Sequence, residues 1–316
     1  MRAPQFWYKK NWQSILLYPL GCLYAGITAL RLKTHQPLKV SVPVICIGNL
    51  TAGGSGKTPT AISIAAILKK FGKNPFFVSR GYGGTLSDTI VDINVNSATE
   101  VGDEPLLLAK QAPVVINHKR DQAALRAISE GADIIIMDDG FQNPSLHKDK
   151  SLLVIDGAVG MGNELPIPAG PMREFFSSGL KRAQGIIILG DDKYNIADRV
   201  QDLPIFRGHV SPQKINSTER QVIAFAGIGR PEKFYQSLQD CGLTIIKTIS
   251  FPDHHFYQKD ELENIISAAE QANADIYTTA KDMVKIPYKL QKHFKVLEIC
   301  IEWEDEKALT DFLLTA

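Results

Sequence analysis

The segment VPVICIGNLTAGGSGKT, residues 42–58, decides the fold. Val42–Ile47 is a short apolar run rich in branched side chains, the pattern of a strand buried on both faces. Three glycines, Gly53, Gly54 and Gly56, then precede Lys57 and Thr58, and Thr58–Phe71 reads as a helix. Strand, glycine-rich turn and helix in that order are the context in which G-x-x-x-x-G-K-[ST] cradles phosphate. The glycines let successive N–H groups turn inward, and the helix N-terminus adds roughly half a positive charge. Thr51, Ala52, Gly53, Gly54, Ser55, Gly56, Lys57 and Thr58 are therefore the predicted ATP site. Lys57 is expected to reach the β- and γ-phosphates and Thr58 to ligate Mg²⁺. The pattern departs at its first position, where Thr51 stands in place of glycine.

Such a loop needs a second acid for the metal. IIIMDDG, residues 134–140, is an apolar strand ending in Asp138 and Asp139. Carboxylates at a strand's C-terminal end lie where nucleotide-bound metal sits in an open α/β sheet. Further strands are expected at Asn74–Ser79, Val114–Asn117, Leu152–Ile155 and Gly185–Leu189, alternating with helices at Pro105–Gln111 and Asp121–Glu130. This alternation predicts a mostly parallel α/β sheet of P-loop NTPase type. After Leu203 a second set begins: strands at Gln221–Phe225, Thr244–Ile249, Asp275–Thr278 and Lys295–Ile301, with helices at Pro231–Asp240, Lys259–Asn273 and Asp305–Leu314. It predicts a smaller α/β domain over residues 204–316, behind a P-loop core over 35–203. The boundary is placed in the polar stretch 203–220. Pro204–Val210 and Lys295–Ile301 are expected to run between the domains as a hinge.

Residues 1–34 differ from the rest. Lys9 and Lys10 precede an uncharged stretch, Asn11–Leu30, and Arg31 and Lys33 follow it. Leu16, Leu20, Leu23, Ile27 and Leu30 form a stripe at helical spacing. Twenty helical residues span about 30 Å, the hydrocarbon thickness of a bilayer. Three readings stay open: a helix on or dipping into a membrane with cationic flanks, a buried core helix, and a cleaved signal peptide. Over the 316 residues the net charge is +1, which gives no basic signature of nucleic-acid binding, and no obligate protein partner is implied. Four scattered cysteines, Cys22, Cys46, Cys241 and Cys300, argue against a zinc site or a disulfide framework.

Five segments taken together resemble one family. They are GNLTAGGSGKTP (48–59), SRGY (79–82), VGDEP (101–105), DDGFQ (138–142) and FPDH (251–254). The chain is similar along its whole length to the tetraacyldisaccharide 4'-kinases, which phosphorylate a lipid A precursor at the inner membrane. That family also carries threonine or serine where the loop's first glycine is expected, which accounts for Thr51. The resemblance implies ATP and Mg²⁺ as cofactors, a lipid A disaccharide precursor as substrate, and a place at the cytoplasmic face of the bacterial inner membrane. It also implies a catalytic carboxylate at Asp103 and a histidine partner, His254, arriving from the second domain as the cleft closes. His255 is a competitor for that place.

Read from the residues alone, Asp103 before Glu104 and Pro105 is equally a helix cap. Its acidic neighbour is expected to raise its carboxyl pKa. Arg80, His118, Lys119, Arg120 and Arg173 are candidates to hold phosphates of ATP or lipid, and Gln142 to position a metal-bound water. The segments 225–231 and 279–285 are marked, the first as a glycine turn of structural origin. Two rivals remain. One is a membrane-associated regulatory ATPase of the partition or insertion type, against which Ala52 stands where such proteins carry lysine. The other is a small-molecule kinase with no membrane role.

Overall fold

The computed structural model describes residues 4–200, 202–215 and 221–315. The polar boundary stretch falls partly at 216–220, outside the described residues. The first sheet opens with β1 (Val44–Gly48), β2 (Pro75–Ser79), β3 (Thr89–Ile90), β4 (Val114–Ile116) and β5 (Ile134–Asp138). It continues with β6 (Lys150–Asp156), β7 (Gly185–Leu189) and β8 (Ile205–Pro212). A second sheet holds β9 (Gln221–Ala226), β10 (Thr244–Ser250), β11 (Asp275–Thr279) and β12 (Lys295–Leu297); the chain then returns as β13 (Ile299–Trp303). Among the described residues the orders are β13-β8-β7-β6-β1-β5-β2-β4-β3 and β10-β9-β11-β12. Pairing is parallel except at the two edges of the first sheet, where β3 and β13 run antiparallel to their neighbours.

β1 lies between β5 and β6 and is buried along its length, which is why its sequence is continuously apolar. Ile45 and Ile47 face a core built with Ile64, Ala65 and Leu68 of the helix Lys57–Lys70. Val44 and Cys46 face the other core, with Ala123, Ala124 and Ala127 of the helix Arg120–Ser129. The register sets Ile47 beside Asp138, so the strand-end acids lie next to the glycine-rich loop.

Two expectations change. The strand anticipated over Lys295–Ile301 is two strands in different sheets, β12 and β13, parted at Glu298. Alternation of side chains marks extended backbone but does not say which sheet receives it. The line drawn between residues 203 and 204 likewise does not coincide with the change of sheet. β8, β13 and the helix Glu306–Leu314 pack on the first sheet, with Ile301, Leu309 and Leu313 in its core. The second sheet is thus inserted between two antiparallel strands of the first, and the chain crosses at Pro212 and at Glu298.

The helix Trp12–Thr34 is capped by Asn11 and Ser14 in a reciprocal capping box. Its small residues Ser14, Gly21, Ala25 and Thr28 are buried. A Cβ on Gly21 would lie 2.7 Å from the Pro166 carbonyl oxygen, so glycine permits that close approach. Leu16, Leu20, Leu23, Ile27 and Leu30 point away, 70, 55, 62, 60 and 62% exposed. The stripe faces outward, which rules out the buried-core reading among the three. The helix is joined to the body at both ends, through Trp7 Nε1 to Pro168 O (3.1 Å) and Arg31 to Gln142 O (3.0 Å).

Candidate active site

The glycine-rich loop leaves β1 and is tied from both sides. Ala52 N donates to Pro171 O at 2.7 Å, and Arg173 N donates to Leu50 O at 2.7 Å. Inside the loop, Asn49 Nδ2 donates to Ser55 Oγ at 3.0 Å. Gly53 and Gly56 have φ of 118° and 87°, values at which a side chain would be strained. The helix Lys57–Lys70 starts directly after Gly56, so Lys57 and Thr58 sit on its first turn.

The two strand-end acids have different surroundings. Thr58 Oγ1 donates to Asp138 Oδ2 at 3.2 Å, while Asp138 Oδ1 is buried without a partner. Burial, then Glu104 and Asp139, push the Asp138 carboxyl up to about 7. A hydroxyl and an orphaned carboxylate oxygen fit Mg²⁺, which takes few protein ligands and completes its shell with phosphate and water. Asp139 is held otherwise. Arg173 forks onto both its oxygens at 2.8 and 3.2 Å, and Lys57 Nζ lies 3.7 Å away. Burial acts to raise the Asp139 carboxyl, but Lys57, Arg173 and Arg120 outweigh it and hold it below the usual range.

Behind the fork, Arg173 Nη1 donates to Gln142 Oε1 at 3.3 Å, and Gln142 Nε2 donates to Asn49 O (2.9 Å) and Glu174 Oε1 (3.0 Å). Arg182 pairs with Glu174 and lies over the Phe141 ring. Gln142 is therefore a brace between the loop and the fork. Asn49, Glu174 and Arg182 belong to the same network. Asn49 lay inside a quoted motif without a role, and the links from Gln142 to Asn49 and Glu174 and from Arg182 to Phe141 join segments more than thirty positions apart.

Asp103 is the first residue of the helix Asp103–Ala109 and is 5% exposed. Gly102 before it has φ of 92°, and a Cβ there would lie 2.5 Å from Tyr82 O. The SRGY and GDEP segments are thus pressed together, and only glycine fits between them. Asp103 Oδ2 lies 2.9 Å from His254 Nδ1, and Asp103 Oδ1 accepts from Glu104 N at 2.9 Å. His254 comes from the loop after β10 with φ of 59°, a left-handed conformation that costs a non-glycine residue about 1 kcal/mol or more. The pair is already in contact here, so it does not await further closure. His255 turns away, 2.9 Å from Glu261 and stacked on Phe251, and does not compete.

Lys281, from the segment after β11, stands 3.2 Å from His254 Nε2, 3.5 Å from Glu104, 3.6 Å from Asp253 and 3.9 Å from Asp103. These groups reverse one expectation. Burial acts to raise the Asp103 carboxyl, but His254 and Lys281 hold it below the usual range. The bond to Asp103 raises the His254 imidazole, outweighing burial and Lys281.

Arg120 is buried, its guanidinium pulled by burial down to about 10 despite Asp139 and Asp138 nearby. Arg80 and His118 remain exposed beyond the ends of β2 and β4, as does Lys119. Arg230, in the glycine turn after β9, reaches Gly54 O at 3.1 Å and pairs with Asp156, so that turn also contacts the phosphate loop.

With this geometry in hand, the comparisons agree. The family model for tetraacyldisaccharide-1-P 4'-kinase matches residues 13–316. A tetraacyldisaccharide 4'-kinase of Paramagnetospirillum magneticum is 42% identical over 98% of this chain and 97% of its own length. One from Gluconobacter oxydans is 40% identical over 100% and 99%. Among solved structures, the "apo" form of LpxK from Aquifex aeolicus, in complex with ATP, is 27% identical, superimposes with a TM-score of 0.77, and covers 96% of this chain and 98% of that one. A glycine-rich loop braced against paired acids, matched along the whole chain by these relatives, means that the chain belongs to the tetraacyldisaccharide-1-P 4'-kinase family.

Proposed function

We propose that the chain transfers the γ-phosphoryl group of ATP to the 4'-hydroxyl of a tetraacyldisaccharide 1-phosphate, a lipid A precursor, with Asp103 accepting the hydroxyl proton. The observation that carries the assignment of Asp103 is its bond to His254 across the two lobes, on a helix close enough for Glu104 to act on Asp138. The acceptor oxygen forms a bond to the γ-phosphorus, the bond to the β–γ bridging oxygen breaks, and ADP leaves. A buried carboxylate held ionised at neutral pH can take the acceptor's proton as that bond forms. His254 keeps the carboxylate oriented. Lys57 and the N–H groups of Gly53–Gly56 meet the charge of the phosphate tail. Thr58 and Asp138 would hold Mg²⁺, which supplies charge neutralisation of the phosphates. Asp139 serves chiefly to align Lys57 and Arg173. The regulatory-ATPase alternative gives way to the family membership.

The helix Trp12–Thr34 would seat the enzyme on the cytoplasmic face of the inner membrane, its exposed apolar face in lipid and Lys9, Lys10, Arg31 and Lys33 at anionic headgroups. Docked to the body along its buried face, it suits a helix lying in the interface better than one crossing alone.

The test is transfer of labelled γ-phosphate to an extracted disaccharide lipid. Wild type should label it, Lys57→Ala should not, and Asp103→Asn should lose about 10²–10⁴-fold in kcat with ATP affinity retained. Undiminished turnover by Asp103→Asn would remove the proton-acceptor role.

A further inference from the structure

We infer that Lys281 is a positioning residue of this site, whose ammonium fixes His254 as the tautomer carrying its proton on Nδ1, so that the ring donates to Asp103. The inference rests on the reading of Asp103 as proton acceptor. An ammonium has donors only. At 3.2 Å from His254 Nε2, Lys281 Nζ makes a hydrogen bond only if that nitrogen offers its lone pair. The ring proton then sits on Nδ1, 2.9 Å from Asp103 Oδ2, and is donated to the carboxylate. The opposite tautomer would set N–H against ammonium at one end and lone pair against carboxylate at the other. Asp103 Oδ1 already accepts the Glu104 N–H, so the carboxylate is held at both oxygens.

The placement of Lys281 is built into the second lobe. Lys281 lies in the short helix Ala280–Met283, capped by Thr279. The next residue, Asp282, is fully buried; its Oδ2 accepts from Gly227 N at 3.0 Å and from Thr279 Oγ1 at 2.7 Å. Lys285 pairs with Asp282 Oδ1 at 2.7 Å, both side chains being shut away from solvent. The two hydrogen bonds to Asp282 Oδ2 and the buried ion pair with Lys285 fix the turn that carries Lys281. It leaves Lys281 with Glu104 and Asp253 at 3.5 and 3.6 Å as counter-charges.

Every group that faces the pair bears on its protonation. Glu104 comes from the helix of Asp103, Lys281 and Lys285 from the segment after β11, Asp253 from the loop after β10, and the Tyr82 ring lies 6.0 Å from His254. Asp103 favours a second proton on the imidazole, and Lys281 opposes it. Lys281 also favours the ionised form of Asp103. Removing the ammonium therefore makes both groups easier to protonate. Both changes move in one direction, toward loss of the base at higher pH.

The experiment uses the full chain with ¹⁵N-labelled histidine, the His254 resonances being assigned with His254→Gln. Wild type should show neutral His254 protonated at Nδ1, with Nε2 as acceptor. Lys281→Met should lose that preference and reduce kcat roughly 10–100-fold, the scale of losing an outer hydrogen-bonding partner. It should move the acid limb of the kcat profile to higher pH, with the KM for ATP unchanged. Lys281→Arg should restore part of the rate and the wild-type limb, and Lys281→Gln should not. A wild-type His254 protonated at Nε2 would overturn the inference without any variant having to fold. So would Lys281→Met with an unshifted pH profile, which would mark the loss as merely structural. An active Asp103→Asn would instead strike the proton-acceptor reading, and the tautomer measurement would still judge Lys281.

Discussion

Replacing Leu16, Leu20, Leu23 and Ile27 together by glutamine should release the enzyme from membranes without unfolding it. These side chains are between 55 and 70% exposed, so more than half of each surface is available to lipid. Full burial of such a side chain is worth about 1.5–3 kcal/mol, so the exposed portion contributes about 1–2 kcal/mol each and about 4–7 kcal/mol for the four. At about 1.4 kcal/mol per tenfold, vesicle affinity should fall at least about a thousandfold. The cations Lys9, Lys10, Arg31 and Lys33 stay in the variant, so residual binding should depend on anionic lipid and vanish in high salt. The assay is co-sedimentation with vesicles containing anionic lipid, beside a thermal melt and ATP binding in solution. The melt should hardly move, because the four side chains are exposed. Gly21→Leu is the converse: it sets a side chain against the Pro166 carbonyl and should lower the melting temperature. Equal vesicle binding by the quadruple variant, or a collapse of its melt, would refute the assignment of this face to lipid.

Other expectations follow from the site. The acid limb of kcat/KM should lie above the ordinary range of a histidine. Asp103, held below the ordinary range, stays ionised there, so activity falls as pH drops through the raised value of His254. A limb below the ordinary carboxylate range would assign it to Asp103 instead. Arg173→Ala removes the fork that holds Asp139 and the contact to Gln142, and should cost roughly 10–100-fold in activity or metal affinity, measured by titrating Mg²⁺ against rate. Gly102→Ala forces a Cβ into Tyr82 O at positive φ. It should cost about 1–3 kcal/mol of stability in a denaturant melt and lower kcat more than ATP binding, since Asp103 is the next residue.

How much was legible beforehand differs from element to element. The phosphate loop and the acids at the end of β5 could be read directly, because both are local: a few consecutive residues between a strand and a helix carry the geometry. Asp103 and His254 could be named only through resemblance. Their bond spans 151 positions, and periodicity holds no trace of such a distance. Lys281 lay in a marked segment, yet its role depends on four groups from two other parts of the chain. The stripe on the first helix was found, and its direction was not. A helical spacing of leucines says that one face is apolar, and only packing decides whether that face meets a core or the outside.

The sequence by itself determined the α/β order, the nucleotide cradle and the apolar helix, because strand burial, glycine turns and helical periodicity are properties of short stretches. Only the tertiary structure decided that β8 and β13 join the first sheet around an inserted second one. It alone turned the small residues of the first helix inward, gave Asp138 and Asp139 different partners, and gathered Asp103, His254 and Lys281. Each of those depends on which distant surfaces meet, and contacts between them form only when the whole chain is packed.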